Sequence, residues 1–257
     1  RWLGLMTAAI LISGVLGVRS VSARMYSPAV SATMALTLAA LGASRYVGTA
    51  ETPMIVLAVT ALAYLHAGEW RHAAILFGLA ASTKNEGMAL LVAVTIALIV
   101  TRRLRELVRL WPAYVIPVPW LILRALHHVP TDVTSGPVLS RIFDRLDETI
   151  TIIRLIGSQT GQPALWLVII VASLVAARRA PLLFTVVVIQ IVLCLAVYYA
   201  TPHEVTWHIT TSWDRISRQL AAMAAFAALA GLAGAFPAVG LIALTERDPA
   251  EFATPKQ

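Results

Sequence analysis

The chain has 257 residues, of which 59% are apolar and only 13% charged, with a mean hydropathy of +0.79 and a formal net charge of +7. A soluble domain carries nearly twice that charge, so the composition excludes one and points to an integral membrane protein. The lone Cys194 excludes a disulfide framework, no zinc-type Cys/His spacing occurs, and the positive charge reads as a cytoplasmic face rather than a nucleic-acid surface.

Nine apolar segments are predicted in chain order, near 2–18, 27–44, 53–67, 72–83, 88–101, 109–126, 164–177, 181–200 and 219–244. They are continuous rather than alternating, which favours spanning helices and excludes an outer-membrane barrel. The third, fourth and fifth are shorter than the roughly 17–25 residues a span needs, so they tilt little or one of them re-enters. Pro53, Pro112, Pro117, Pro119, Pro181 and Pro237 fall at segment ends or kinks. The predicted fold is all-α. It is a polytopic bundle of about nine spans, with one membrane domain over residues 1–245 and a short cytoplasmic tail over 246–257. The opening "RWLGLM" has neither an initiating Met nor a signal-peptide shape, so the chain is expected to start inside a longer protein.

If all nine segments cross, the short clusters "TRRLR" and "ARRAP" share a side that is read as cytoplasmic. The opposite, exoplasmic side then receives Glu51, Lys84, Glu86, the loop 127–163 and the segment 201–218. Within that loop, Val138, Leu139, Ile142, Leu146, Ile150, Ile153 and Leu155 recur at near-helical spacing, with charges between them. This predicts an interfacial helix near 138–155, lying on the membrane or on the protein. His127 and His128 are adjacent, would point apart on a helix, and form no metal motif.

Three polar stretches interrupt the apolar pattern. In "ASTKNEGMALL" (81–91), Lys84 is a compact cation suited to a phosphate, and Glu86 pairs with it or holds a hydroxyl. On a helix, residues two apart do not face each other. Gly87 permits a helix boundary and a close backbone approach. A solvated turn between spans is the plainer alternative. In "SRYVGTAETPMIVL" (44–57), Glu51 precedes Pro53, where an apolar helix is expected to begin. The helix dipole favours a carboxylate there, and so would a role in binding a hydroxyl, a metal or an acceptor. In "TPHEVTWHITTSWDRISRQL" (201–220), His208 and Arg215 are seven apart and share a helical face. That stretch reads as an interfacial amphipathic helix or as an anion site. Asp214 cannot face Arg215 on a helix, so each needs another partner.

"RYVGTAETPMIVLAVTALAYL", then a charged turn, then "GLAASTKNEGMALLVAV" resembles the GT-C membrane glycosyltransferases of the protein-mannosyltransferase, aminoarabinose-transferase and Rgt-like group. Members carry an acidic residue and Pro at the start of a span and a "K-x-E-G" motif one hairpin later. "WHITTSWDRISRQL" resembles their late segment, and the likeness covers roughly residues 1–220. The resemblance implies transfer of a sugar from a polyprenyl-phosphate donor to a hydroxyl or amine of a glycan, lipid or protein. The reaction would occur at the exoplasmic face of a bacterial inner membrane. It implies Glu51 as the catalytic carboxylate, with Lys84, Glu86, Arg215 and His208 as substrate-binding residues. It implies no fixed cofactor and leaves a divalent metal open. The family's main acid lies in the first exoplasmic loop. Here the first segment looks like the family's second span, so that acid is expected to be missing from this chain. A transporter or flippase of a lipid or small anion is the alternative.

Overall fold

The computed structural model of the chain describes residues 2–43, 50–129, 137–161, 166, 170–171, 173–174 and 177–233. Among them every regular element is helical. The first five helices are α1 (Trp2–Ser22), α2 (Pro28–Gly42), α3 (Glu51–His66), α4 (Trp70–Thr83) and α5 (Asn85–Val100). A run of short helices follows, α6 (Leu104–Arg109), α7 (Trp111–Val115) and α8 (Val118–Leu126). Then come α9 (Val138–Asp144), a 3-10 turn (Leu146–Glu148) and α10 (Thr149–Gln159). Two long helices complete the description, α11 (Pro181–Ala200) and α12 (Val205–Ala233). The predicted segment 164–177 and the tail 246–257 lie largely or wholly outside the described residues.

Helices α1, α11 and α12 are long and apolar enough to cross a membrane, and α2, α3 and α5 are shorter apolar helices. Helix α3 is the centre of the bundle. Apolar residues fill all its sides, and Met54, Ile55, Val56, Ala58, Val59, Ala61, Leu62, Ala63 and Leu65 are all buried. Helix α1 lies close against it because Gly14 has no side chain, and a Cβ there would strike Val56 Cγ1. Helices α4 and α5 form a tight hairpin on the same principle. A Cβ on Gly87 would collide with the Ala80 carbonyl of α4.

Four sequence expectations are revised. Helix α3 begins at Glu51 rather than 53, because Pro53 falls in the first turn, where a missing N–H costs nothing. The predicted segment 109–126 is broken into α7 and α8, with Pro117 capping the second piece and Pro119 inside its first turn. The predicted interfacial helix 138–155 is two helices joined through Arg145, whose φ of −97° and ψ of 1° leave the helical region. The polar stretch 205–218 is not a separate amphipathic helix. It is the first half of the 29-residue α12, continuous with the apolar half.

The break at Arg145 has an identifiable cause. Its Nη1 donates to the carbonyls of Tyr198 (3.1 Å) and Thr201 (2.7 Å), and its Nη2 to that of His203 (2.8 Å). Arg141 Nε donates to the Ala200 carbonyl at 3.0 Å. The two guanidinium groups thus satisfy the carbonyls at the C-terminal end of α11 and place positive charge at its negative pole. The outward side of this segment leaves Leu139, Phe143, Leu146, Ile150 and Ile153 exposed at 4-3-4-3 spacing. That is the apolar stripe of an interfacial element.

Candidate functional site: a charge cluster inside an apolar bundle

The start of α3, the α4–α5 link and the polar half of α12 meet at one point. Glu51 is in the first turn of α3 with a side chain only 5% exposed. Its Oε1 accepts from Lys84 Nζ at 3.1 Å and from Arg215 Nη1 at 3.0 Å. Lys84 Nζ also stands 3.2 Å from Glu86 Oε1. Four residues from three separate parts of the sequence therefore form one chain of ion pairs, with two cations and two carboxylates. Asp214, next to Arg215, turns the other way and accepts from Arg218 at 3.4 Å.

Lys84 and Glu86 pair even though residues two apart in a helix cannot. Lys84 is outside both helices, with φ −156° and ψ 163°, and this extended geometry swings its ammonium toward Glu86 and Glu51 together. Neither α3 nor α5 is capped by a side chain at its N-cap residue. Glu51 and Glu86 instead put a negative charge in each first turn, where the helix dipole favours it.

The cluster lies deep along the long helices. Gln190 stands midway along α11, and its Nε2 donates to the Glu86 carbonyl at 3.1 Å. At 1.5 Å of rise per residue, this sets the first turn of α5 about 15 Å below the C-terminal end of α11. Arg215 is ten residues into α12, which gives the same depth, about 15 Å. The polar ends of α3, α4 and α5 thus meet partway along α11 and α12, with Glu51 buried and Lys84, Glu86 and Arg215 partly exposed.

His208, the fifth residue singled out from the sequence, lies two turns from Arg215 toward the start of α12. It packs edge-on against Tyr198 (ring centroids 5.2 Å) and beside His203 (6.0 Å) and Trp207 (6.5 Å). The Tyr198 hydroxyl shares a 3.0 Å hydrogen bond with Ser212. This aromatic group stands between the charge cluster and the α11–α12 turn. Trp213 Nε1 donates to Thr160 Oγ1 (3.2 Å) and Tyr199 OH to Thr149 Oγ1 (3.2 Å), which ties α10 over the same region. At the start of α12, Glu204 caps the helix, accepting from the N–H groups of Thr206 (2.8 Å) and Trp207 (2.7 Å). Hydrogen bonds from Thr206, and the backbone ones from Trp207 and Thr206, lower its pKa.

Two residues near the cluster, Gln190 and Arg124, were not singled out from the sequence. Gln190 has no charge and sits in an apolar run, so periodicity alone hides it. Asn85 is exposed and accepts from Arg124 Nη1 of α8 at 3.4 Å, which brings a further cation beside the α5 start. At the opposite ends of the helices a second polar group joins Tyr26 OH to His66 Nε2 at 2.6 Å, and Arg24 and His72 to Glu69. Burial pushes the Tyr26 hydroxyl up to about 12.

Among the described residues no group of three or more His, Cys, Asp or Glu side chains is placed to hold a metal ion. Lys84 Nζ stands between the carboxylates of Glu51 and Glu86, where a cation bridging them would sit. No protein-family model, curated protein or solved structure matches this chain.

Proposed function

We propose that this protein is a membrane glycosyltransferase. In this reading it moves a sugar from a polyprenyl-phosphate donor to a hydroxyl or amine of a glycan, lipid or protein, at the exoplasmic face of an inner membrane. The observation that carries the reading is the convergence of Glu51, Lys84, Glu86 and Arg215, from three separate parts of the chain, within an apolar bundle. Burying the Glu51 carboxylate and partly burying its three charged partners is costly, and ionisable groups kept inside membrane helices mark substrate sites.

Under this reading the acceptor O–H or N–H attacks the anomeric carbon, and the bond from that carbon to the phosphate oxygen breaks. The phosphate leaves with the bonding electron pair, and the acceptor proton passes to a carboxylate. Glu51 is the proposed carboxylate. Lys84 and Arg215 are the cations that stabilise the charge gained by the leaving phosphate. Glu86 holds Lys84 in place or meets a sugar hydroxyl. His208 lies on the route from the cluster to the surface. The reading assigns no role to a metal.

One observation favours a second reading, a transporter or flippase of a lipid or small anion. The cluster sits at half the height of α11, where the ends of short helices meet, as in binding sites built from discontinuous helices. Proteoliposomes separate the two. Vesicles carrying a labelled polyprenyl-phosphate sugar in the bilayer and given a soluble acceptor on the same side would yield labelled acceptor for a transferase. Label crossing the membrane still attached to polyprenyl phosphate would favour the transporter and contradict the proposal.

A further inference from the structure

Helix α5 ends, about 22 Å along its axis from the charge cluster, in a turn that uses an arginine where glycine is usual. The Arg103 N–H donates to the Leu98 carbonyl (2.7 Å) and the Arg102 N–H to that of Ile99 (3.0 Å), the paired bonds of a Schellman cap. That cap puts Arg102 in the left-handed region, with φ 58°. Glycine occupies the region without cost, so the backbone is strained to keep a cationic side chain there.

Helix α6, which follows at once, has three faces. Leu107 and the C-cap residue Leu110 pack on the core. Leu104 (57% exposed) and Val108 (73%) form an apolar outer face, and Trp111 (62%) follows them at the start of α7. Arg105 and Arg109, four residues apart, form a basic face. Arg102, Arg103, Arg105 and Arg109 are all exposed, and among the described residues none of them is in an ion pair, whereas Arg24, Arg215 and Arg218 are. Glu106, the one acid between Thr101 and Trp111, pairs with none of them. Four unpaired cations in eight residues repel one another, and like charges four apart weaken a helix.

This arrangement is relieved by a surface that is apolar on one side and anionic on the other. The edge of a bilayer is such a surface, since acyl chains can cover Leu104, Val108 and Trp111 while headgroup phosphates meet the guanidinium groups. A soluble polyanion would answer the charge and leave the apolar face in water. Positive charge at the ends of membrane helices by itself sets orientation only. The strained Arg102 and the apolar and basic faces of α6, side by side, go further than that rule asks.

We infer that the α5–α6 corner binds the headgroup of an anionic phospholipid, with Arg102, Arg103, Arg105 and Arg109 facing its phosphate and Leu104, Val108 and Trp111 along its acyl chains. This site is separate from the charge cluster and does not depend on the transferase reading.

The test titrates the purified full-length protein, in a neutral detergent, with fluorescent phosphatidylglycerol and separately with fluorescent phosphatidylcholine. Wild type is expected to prefer phosphatidylglycerol, by a margin that shrinks as salt is raised. Arg105→Gln/Arg109→Gln should weaken phosphatidylglycerol by roughly 25-fold, about 5-fold for each arginine, and leave phosphatidylcholine unchanged. Arg102→Gly should weaken it by about 5-fold yet melt no lower than wild type, because glycine relieves the strained φ. As a control, Arg178→Gln/Arg179→Gln removes two exposed arginines just before α11 and should leave the preference as it was.

No preference for phosphatidylglycerol in wild type would overturn the inference. So would equal losses in the two double variants, which would mean a diffuse positive face rather than a site. Arg102→Gly binding phosphatidylglycerol as tightly as wild type would also overturn it, as would displacement of the fluorescent lipid by glycerol phosphate as readily as by unlabelled phosphatidylglycerol. Each of these results would leave the transferase reading standing.

Discussion

Replacing Glu51 by Gln removes one of two negative charges from a group that carries two positive ones. Lys84 keeps Glu86 at 3.2 Å, but Arg215 loses its carboxylate. Breaking a fully buried pair costs about 3–5 kcal/mol. The side chains of Lys84 and Arg215 are 17% and 36% exposed, so water screens part of the loss, and about 2–3 kcal/mol is expected. For a chain of this size that is a fall in Tm of roughly 4–12 °C. Removing Lys84 as well, in Glu51→Gln/Lys84→Met, leaves Arg215 and Glu86 and restores neutrality. The double variant should then lose less than the sum of the two single variants by about 1 kcal/mol or more. Thermal unfolding of the purified protein in detergent, followed by tryptophan fluorescence, gives all four values. A Tm for Glu51→Gln within about 1 °C of wild type, or strict additivity, would refute the argument that the four charges act as one coupled unit.

Gly87→Ala should cost about 1–3 kcal/mol, because its Cβ meets the Ala80 carbonyl and backbone cannot step aside as a side chain can. The same melt checks it, and a neutral result would mean the α4–α5 hairpin is looser than described. Arg145→Ala should release the C-terminal end of α11, at a cost of about 1.5–3 kcal/mol, and Arg145→Lys should not restore it, since one ammonium cannot span three carbonyls. Protease sensitivity of the 137–160 segment is the second readout. Glu204 titrates below the ordinary carboxylate value of 4.5, so its capping contribution is full above that value and fades as pH falls through the lower folded-state value. Glu204→Gln should therefore melt with a flatter dependence on pH on the acid side of 4.5 than wild type does.

The residues of the charge cluster were readable because they break an apolar pattern. Glu51, Lys84 and Glu86 stand out against such runs, and Arg215 was marked by its spacing from His208 and by the family resemblance. Of their partners, the Lys84–Glu86 pair was readable as one of two alternatives, and the rest were not. That Arg215 would meet Glu51, 164 residues away, depends on how α12 crosses α3. The pairing of Lys84 with Glu86 depends on one extended residue at the helix break. Span α11 was placed at its observed ends, 181–200, because Pro181 marks its start and polar residues mark its finish. Helix α12 was cut in two, because its polar first half reads as a surface helix when the bundle that buries Ile209, Ser212, Trp213 and Ile216 is out of sight. The predicted interfacial helix failed at Arg145 for a similar reason. A guanidinium drawn to the α11 carbonyls outweighs local helical periodicity. Gln190 was invisible because an amide in an apolar run carries no periodic signal, and its importance lies in the contact it makes.

The depth of the cluster along the helices was likewise not readable: the Gln190–Glu86 bond sets it about 15 Å below the C-terminal end of α11.

The measurement that tests the central claim most directly is sugar transfer in membranes containing the full-length protein, with a radiolabelled panel of polyprenyl-phosphate sugars. Wild type would be compared with Glu51→Gln and Lys84→Ala at matched expression. Transfer from at least one donor, lost in both variants, is the expected result. Transfer that survives in both variants would contradict the assignment of the chemistry to this cluster, and no transfer from any donor would contradict the transferase itself.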